Sequence, residues 1–265
     1  MAFPAMFGPG LHRQGSRGTI RAMRNAPQKP DTSPRRVRAM FDSIAPSYDL
    51  LNRVLSLRRD VAWRRKLANN LPGASEPAVL DIATGTADVL IALDRTMDGR
   101  MRGLGADVSA GMLTVGHKKL QHRGLTPRCA VVQADGLHLP VPANSFDAAT
   151  IAFGIRNLPD VRAGLREMHR VLRPGGRALV LEFSLPGNAL LRAAYLLYFR
   201  HLLPRIGGWV ARDLPAYRYL NQTVESFPYG EAFCALMREA GFARVRAHPL
   251  SFGIASLYLG DKPEE

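Results

Sequence analysis

From Pro77 onward the chain alternates short apolar runs with helix-length amphipathic segments, and this alternation limits the fold more than any other feature. AVLDIA (78–83) precedes a helix expected over about Thr86 to Met97, and GLGADV (103–108) precedes one over about Ala110 to His122. CAVVQAD (129–135), FDAATIAF (146–153), a helix from about Val161 to Leu172 and RALVLEF (177–183) continue the pattern. Strands joined by crossover helices predict a doubly wound, mostly parallel α/β sheet with helices on both faces. After Phe183 comes a leucine- and aromatic-rich insertion (185–228), then a helix near Gly230 to Ala240 that ends at Gly241. VRAHPL (245–250) and GIASLYLG (253–260) form an expected antiparallel pair that closes a seven-stranded sheet. Residues 34–72 read as a helical cap, so 34–262 form one domain behind a leader over 1–33.

Composition narrows the class. At 46% hydrophobic and 22% charged, the 265 residues can fill a globular core. The most apolar stretch, Ala189 to Val210, is cut by Arg192, Arg200, His201 and Arg205, which excludes a membrane-spanning helix there. Cys129 and Cys234 stand far apart without metal-ligand spacing, so neither a disulfide framework nor a zinc or other metal site is expected. The formal charge is +14, and residues 1–40 carry eight Lys/Arg against Asp31 alone, so half of the excess sits near the leader. That Gly-, Pro- and Arg-rich leader reads as a disordered tail. The alternative is a transit peptide, which would place the protein in the mitochondrial matrix.

Doubly wound sheets bind ligands beyond the carboxyl ends of their strands. The first such loop, VLDIATGTAD (79–88), lacks GxGxxG, so a pyrophosphate cradle is not expected; Asp81 ends the strand and Gly85 stands where the backbone turns into the helix. Asp107 ends the second strand, where a carboxylate can accept both hydroxyls of a ribose. Asp135 and Gly136 follow the third, where an adenine edge can be read. Three acids after three consecutive strands, without a phosphate site, point to S-adenosylmethionine. Asp81 either orients the methionine end of that cofactor or serves as a structural acid at the loop entrance.

The segment YDLLNRVLSLRRDVAW (48–63) resembles the signature YDxMNxxxSxxxHxxW, with Leu51 and Asp60 in place of Met and His, and RVLRPGGRALVLEFS (170–184) resembles a second signature. With FGIRN (153–157), HLLPRIG (201–207) and AYRYL followed by SFP (216–228), the chain resembles the ubiquinone/menaquinone biosynthesis C-methyltransferase family over roughly residues 37–260. The resemblance implies a class I methyltransferase sheet and cofactor contacts at Thr86, Asp107, Asp135 and Gly136. Ala152 stands where the family has serine, so a hydroxyl is missing there, and Ala87 stands where glycine is common. Asp60 in the histidine position argues against a histidine base.

What the resemblance implies chemically is methylation of a ring carbon on a polyprenyl hydroquinone. Demethylmenaquinol is preferred from the C-terminal SFGIASLYLG, with 2-methoxy-6-polyprenyl-1,4-benzoquinol as alternative. Arg156 would stabilise the phenolate or polarise a water; the competing role is an ion pair with a cap acid such as Asp49. Asn157 would orient a ring oxygen, and Tyr48 would close over the quinol or simply pack. Arg205 and Tyr217 are candidates for the acceptor channel. Leu190 to Trp209, with arginines among Leu, Tyr, Phe and Trp, suits a prenyl tail and the inner face of an anionic membrane, which gives a cytoplasmic, membrane-peripheral location; the alternative is a helix closing the sheet or a homodimer interface. A nucleic-acid enzyme is the rival raised by the pI near 10.6, but no recognition module accompanies the charge. An inactive accessory protein is the other rival.

Overall fold

The computed structural model describes residues 33–198, 200 and 214–264. Seven strands form one sheet in the order β3-β2-β1-β4-β5-β7-β6. They are β1 (Ala78–Ile82), β2 (Arg102–Asp107), β3 (Cys129–Gln133), β4 (Phe146–Ala152), β5 (Leu172–Phe183), β6 (Ala243–Leu250) and β7 (Ala255–Asp261). β1 to β5 pair in parallel, whereas β7 runs antiparallel between β5 and β6. The expected terminal antiparallel pair is therefore present, and β7 enters between β5 and β6 rather than at the edge.

The parallel strands are apolar on both sides because helices cover both faces. Val79, Leu179 and Leu257 point to one face and pack with Leu67, Leu90, Leu93 and Leu120. Those side chains come from α3 (Arg59–Ala68), α4 (Asp88–Thr96) and α5 (Ala110–His122). Leu80, Ile82, Ile151 and Val180 point to the other face and meet Leu165 and Met168 of α6 (Val161–Val171) and Phe233 and Met237 of α9 (Glu231–Glu239). Burying each large side chain contributes roughly 1.5–3 kcal/mol. Ahead of the sheet lie α1 (Pro34–Ile44) and α2 (Tyr48–Leu55); between β5 and α9 lie α7 (Ala189–Leu197) and α8 (Leu214–Ser226).

Among the boundaries that differ from the sequence reading, two have a visible backbone cause. The helix expected from Thr86 begins at Asp88, because Ala87 adopts φ +63° and holds the chain in a left-handed turn. The fifth strand begins at Leu172 instead of Arg177, because Phe146 pairs with Leu172 across a bulge before the regular ladder starts at Ala148. The helices before β1 also divide: Trp63 and Leu67 place α3 in the core, while Pro34, Val37, Phe41 and Tyr48 of α1 and α2 roof a pocket at the carboxyl edge.

That edge is close-packed where the loops after β1 and β4 meet. A Cβ on Gly154 would lie 2.5 Å from the Cβ of Ala83, with no flexible side chain to yield. Gly154→Ala is expected to lower stability by about 1–3 kcal/mol, the usual cost of overpacking, as measured by urea denaturation; unchanged stability would show that the two loops part freely.

Candidate active site

The pocket encloses about 710 Å³, part of it open to solvent, and its lining includes Tyr48, Gly85, Asp107, Asp135, Gly136, Ala152 and Asn157. The first loop gains its shape from three left-handed residues at alternate positions, Ala83 (φ +50°), Gly85 (φ +55°) and Ala87 (φ +63°). For the two alanines this conformation costs roughly 1–2 kcal/mol each. Glycine suits position 85 because it takes the left-handed conformation without strain, and a Cβ there would meet the Tyr48 ring only at an ordinary 3.7 Å contact. The result is a turn tight enough to bring the Gly85 amide onto Asp107, whose carboxylate accepts from Gly85 N (2.8 Å) and Ser109 N (2.9 Å). Burial nevertheless raises the Asp107 pKa above the ordinary carboxylate range.

Asp135 and Gly136 stand at the pocket's far wall, with Asp135 accepting from the Leu137 amide at 2.9 Å. Ile82, Met112 and Leu158 supply apolar wall between the polar groups. Asn157 is 7% exposed, and its Oδ1 has no hydrogen-bond partner although it is buried at the pocket. A buried acceptor without a donor is costly unless a ligand supplies one. The pocket therefore offers carboxylate and amide acceptors at Asp107, Asp135 and Asn157 between apolar walls, groups that can take hydroxyls and N–H donors beside a flat apolar ring.

Three of the residues singled out in the sequence lie behind this wall. Asp81 is buried and accepts hydrogen bonds from Thr84 Oγ1 and Thr150 Oγ1, both at 2.6 Å. Its environment favours the structural alternative, with burial first and the neighbouring Asp107 charge pushing its pKa up to about 7. Thr86 is 2% exposed and donates to Asp49 Oδ1 at 2.5 Å. Arg156 donates to Glu182 Oε1 and to the Phe153 carbonyl, each at 2.6 Å, and lies 5.4 Å above the Phe183 ring. Its partner is thus Glu182 rather than Asp49, because Asp49 is held by Lys119 at 2.6 Å. Arg205 lies outside the described residues, as does the side chain of Tyr217.

The sequence reading gave no role to three groups that shape the site. Glu182, fully buried, takes Arg156 and the Phe183 amide on Oε1 while Oε2 has no partner, and burial raises its pKa. Asp42 of α1 accepts from Ser109 Oγ at 2.6 Å and from the Gly111 amide at 2.9 Å, so the roof is tied to the first turn of α5. Lys119 joins Asp49, Thr86 and Asp88. The signal for Glu182 was its place at the carboxyl end of an otherwise apolar strand; Asp42 and Lys119 give none, since their partners are 67 and 70 residues away. Trp63, Phe153 and Phe183 form an aromatic cluster with centroids 4.6–6.2 Å apart, and Arg64 lies 6.0 Å from the Phe153 ring.

A sheet of this strand order, with β7 reversed and acids beyond successive strand ends around one pocket, defines a Rossmann-like methyltransferase. A SAM-dependent methyltransferase of Thermotoga maritima has the same fold, with TM-score 0.59 and 18% identity, covering 85% of this chain and 99% of that one. Residues 29–262 match the model of the ubiE/COQ5 methyltransferase family, and the chain belongs to that family. The demethylmenaquinone methyltransferase of Thermus thermophilus is 44% identical over 224 residues, which are 84% of this chain and 100% of that protein. A ubiquinone/menaquinone biosynthesis C-methyltransferase of Geobacter sulfurreducens is 43% identical, covering 86% of this chain and 88% of the other.

Asp81 gives the fold a pH dependence. Because its folded pKa lies near 7, above the unfolded 3.8, the native state binds the extra proton between these values. Stability is therefore greatest at low pH with respect to this group and falls as pH rises through that window, then levels off above about 7. Asp81→Asn should flatten the slope, measured as urea midpoints at several pH values across the window; an unchanged slope would assign the titration elsewhere.

Proposed function

We propose that the chain methylates a ring carbon of a polyprenyl hydroquinone with S-adenosylmethionine, and that demethylmenaquinol is the acceptor. Family membership and the names of the similar proteins support the reaction class. The observation that carries the chemistry is the buried Arg156–Glu182 pair against the aromatic cluster, immediately after the strand whose end lines the pocket.

The cofactor, when bound, supplies an electrophilic methyl group on a cationic sulfur. Asp107, Gly136 and the unpartnered Asn157 carbonyl are the groups that fit it, and Ala152 offers no hydroxyl there. The acceptor must lose a phenolic proton to become nucleophilic at the ring carbon, and a phenol resembles tyrosine with pKa about 10. Arg156, paired with Glu182 and shielded from water, favours the phenolate by its field. Phe153 and Phe183 offer faces on which an aromatic acceptor can lie. Tyr48, whose hydroxyl is held protonated by burial, closes the pocket from the roof. Holding both reactants in register provides on the order of 7–11 kcal/mol in favourable intramolecular cases.

A lipid acceptor implies contact with a membrane surface. No helix among the described residues is long and apolar enough to cross a membrane. Leu190 and Leu197 of α7 are 81% and 65% exposed, and Phe252 is 86% exposed on a turn that packs against the backbone at Pro186, so these apolar groups suit insertion at the interface. We assign the protein to the inner membrane face on this basis.

Transfer of a deuterium-labelled methyl from S-adenosylmethionine to reduced demethylmenaquinone in micelles, followed by mass spectrometry, tests the reaction; label on the methoxy-benzoquinol alone would move it to the ubiquinone branch, and label on neither would refute it. Arg156→Ala strands a buried carboxylate, at a cost of about 3–5 kcal/mol. The double variant Arg156→Ala with Glu182→Gln avoids this, and it should lower turnover on the order of a hundredfold, as for loss of one oxyanion donor. Affinity for S-adenosylhomocysteine, measured by calorimetry, should change far less; wild-type turnover would remove Arg156 from the mechanism.

A further inference from the structure

A second cleft, of about 1330 Å³ and open to solvent, runs between α3 and α4 and is separate from the pocket described above. Five arginines line it, Arg53, Arg64, Arg65, Arg95 and Arg123, and its one acid is Asp88. Asp88 is already shared by Lys119, Arg64 and Arg53, so it has nothing left to neutralise the others. Arg65, Arg95 and Arg123 are exposed and have no ion pair among the described residues. On other flanks of the sheet several arginines are paired: Arg162 meets Glu239, Arg173 meets Asp147, Arg238 meets Glu231, and Arg177 and Arg244 share Asp261.

A second observation comes from Arg64. Its residue is 6% exposed, it lines the cleft, and its Nε has no acceptor although Nη1 is bonded to Asp60 at 2.5 Å. Gathering guanidinium groups around one concavity raises their mutual repulsion, and a cleft focuses the resulting field on mobile anions. Planar N–H forks match the oxygens of a phosphate, and unlike ammonium groups they can engage it in pairs.

We propose that this cleft is a binding site for a phosphate-bearing anion. The ligand class is a compact polyanion with phosphate oxygens, supplied either as a free diphosphate or as the headgroup of an anionic phospholipid. Arg65, Arg95 and Arg123 are its principal ligands, with Arg53 and the spare Nε of Arg64 behind them. Its lining shares no residue with the pocket described above, so it can be examined with neither the quinol nor the methyl donor present.

The test uses the full chain and two probes: sodium pyrophosphate by titration calorimetry, and sedimentation with phosphatidylglycerol vesicles against phosphatidylcholine vesicles. The triple variant Arg65→Gln, Arg95→Gln, Arg123→Gln is compared with Lys118→Gln, Arg166→Gln, Arg246→Gln, which removes the same charge at exposed positions elsewhere. The expected result is at least tenfold weaker binding of one or both probes by the first variant and less than threefold by the second, with matching thermal unfolding of both. Pyrophosphate binding identifies a free anion, and retention on phosphatidylglycerol alone identifies the lipid headgroup. Equal weakening by the two variants would reduce the effect to net charge and overturn the site, as would a wild-type chain that binds neither probe.

Discussion

One carboxylate, Asp88 in the first turn of α4, joins α2, α3 and α5 at a single point. Lys119 of α5, Arg64 of α3 and Arg53 of α2 all reach it, and Lys119 in turn holds Asp49 of α2. Its position at a helix N-terminus favours the negative charge, and the surrounding cations hold its pKa below the ordinary value despite burial. Partly buried ion networks repay their desolvation poorly in net stability, but they penalise misplacement strongly. Here they set the register of the roof: the same network fixes Thr86 in the first loop, so the pocket's floor and its covering helix are positioned by shared partners.

The site is built from two environments with different physics. The pocket is shaped by backbone, with left-handed residues at 83, 85 and 87 and amide groups on Asp107. The neighbouring Arg156–Glu182 pair is shaped by charge in an apolar setting: Glu182 is inaccessible to water, and Arg156 is nearly so. An ion pair held among Trp63, Phe153 and Phe183 is poorly screened.

Much of this was legible in the chain itself. Seven strands and the helices between them follow from the alternation of apolar runs, because a parallel sheet covered on both sides needs continuous apolar strands and crossover helices. The acids at 107 and 135 and the glycines at 85 and 136 were readable because strand ends in such sheets face the ligand. The motif FGIRN marked Arg156 and Asn157, and Asp60, which stands in the histidine position, is buried on Arg64 and Ser56.

What the sequence alone determined, then, is periodicity and local chemistry: which segments are strands, where the chain must turn, and which residue types stand at the strand ends. Only the tertiary structure decided the partners. It put Asp81 and Thr86 behind the pocket wall, joined Arg156 to Glu182 instead of Asp49, and hung α1 on α5 through Asp42. It also gathered arginines from α2, α3, α4 and the end of α5 into one cleft. The physical reason is that hydrophobic period acts over a few residues, whereas the pairing of charges depends on distances set by the packing of elements some 30 to 70 positions apart.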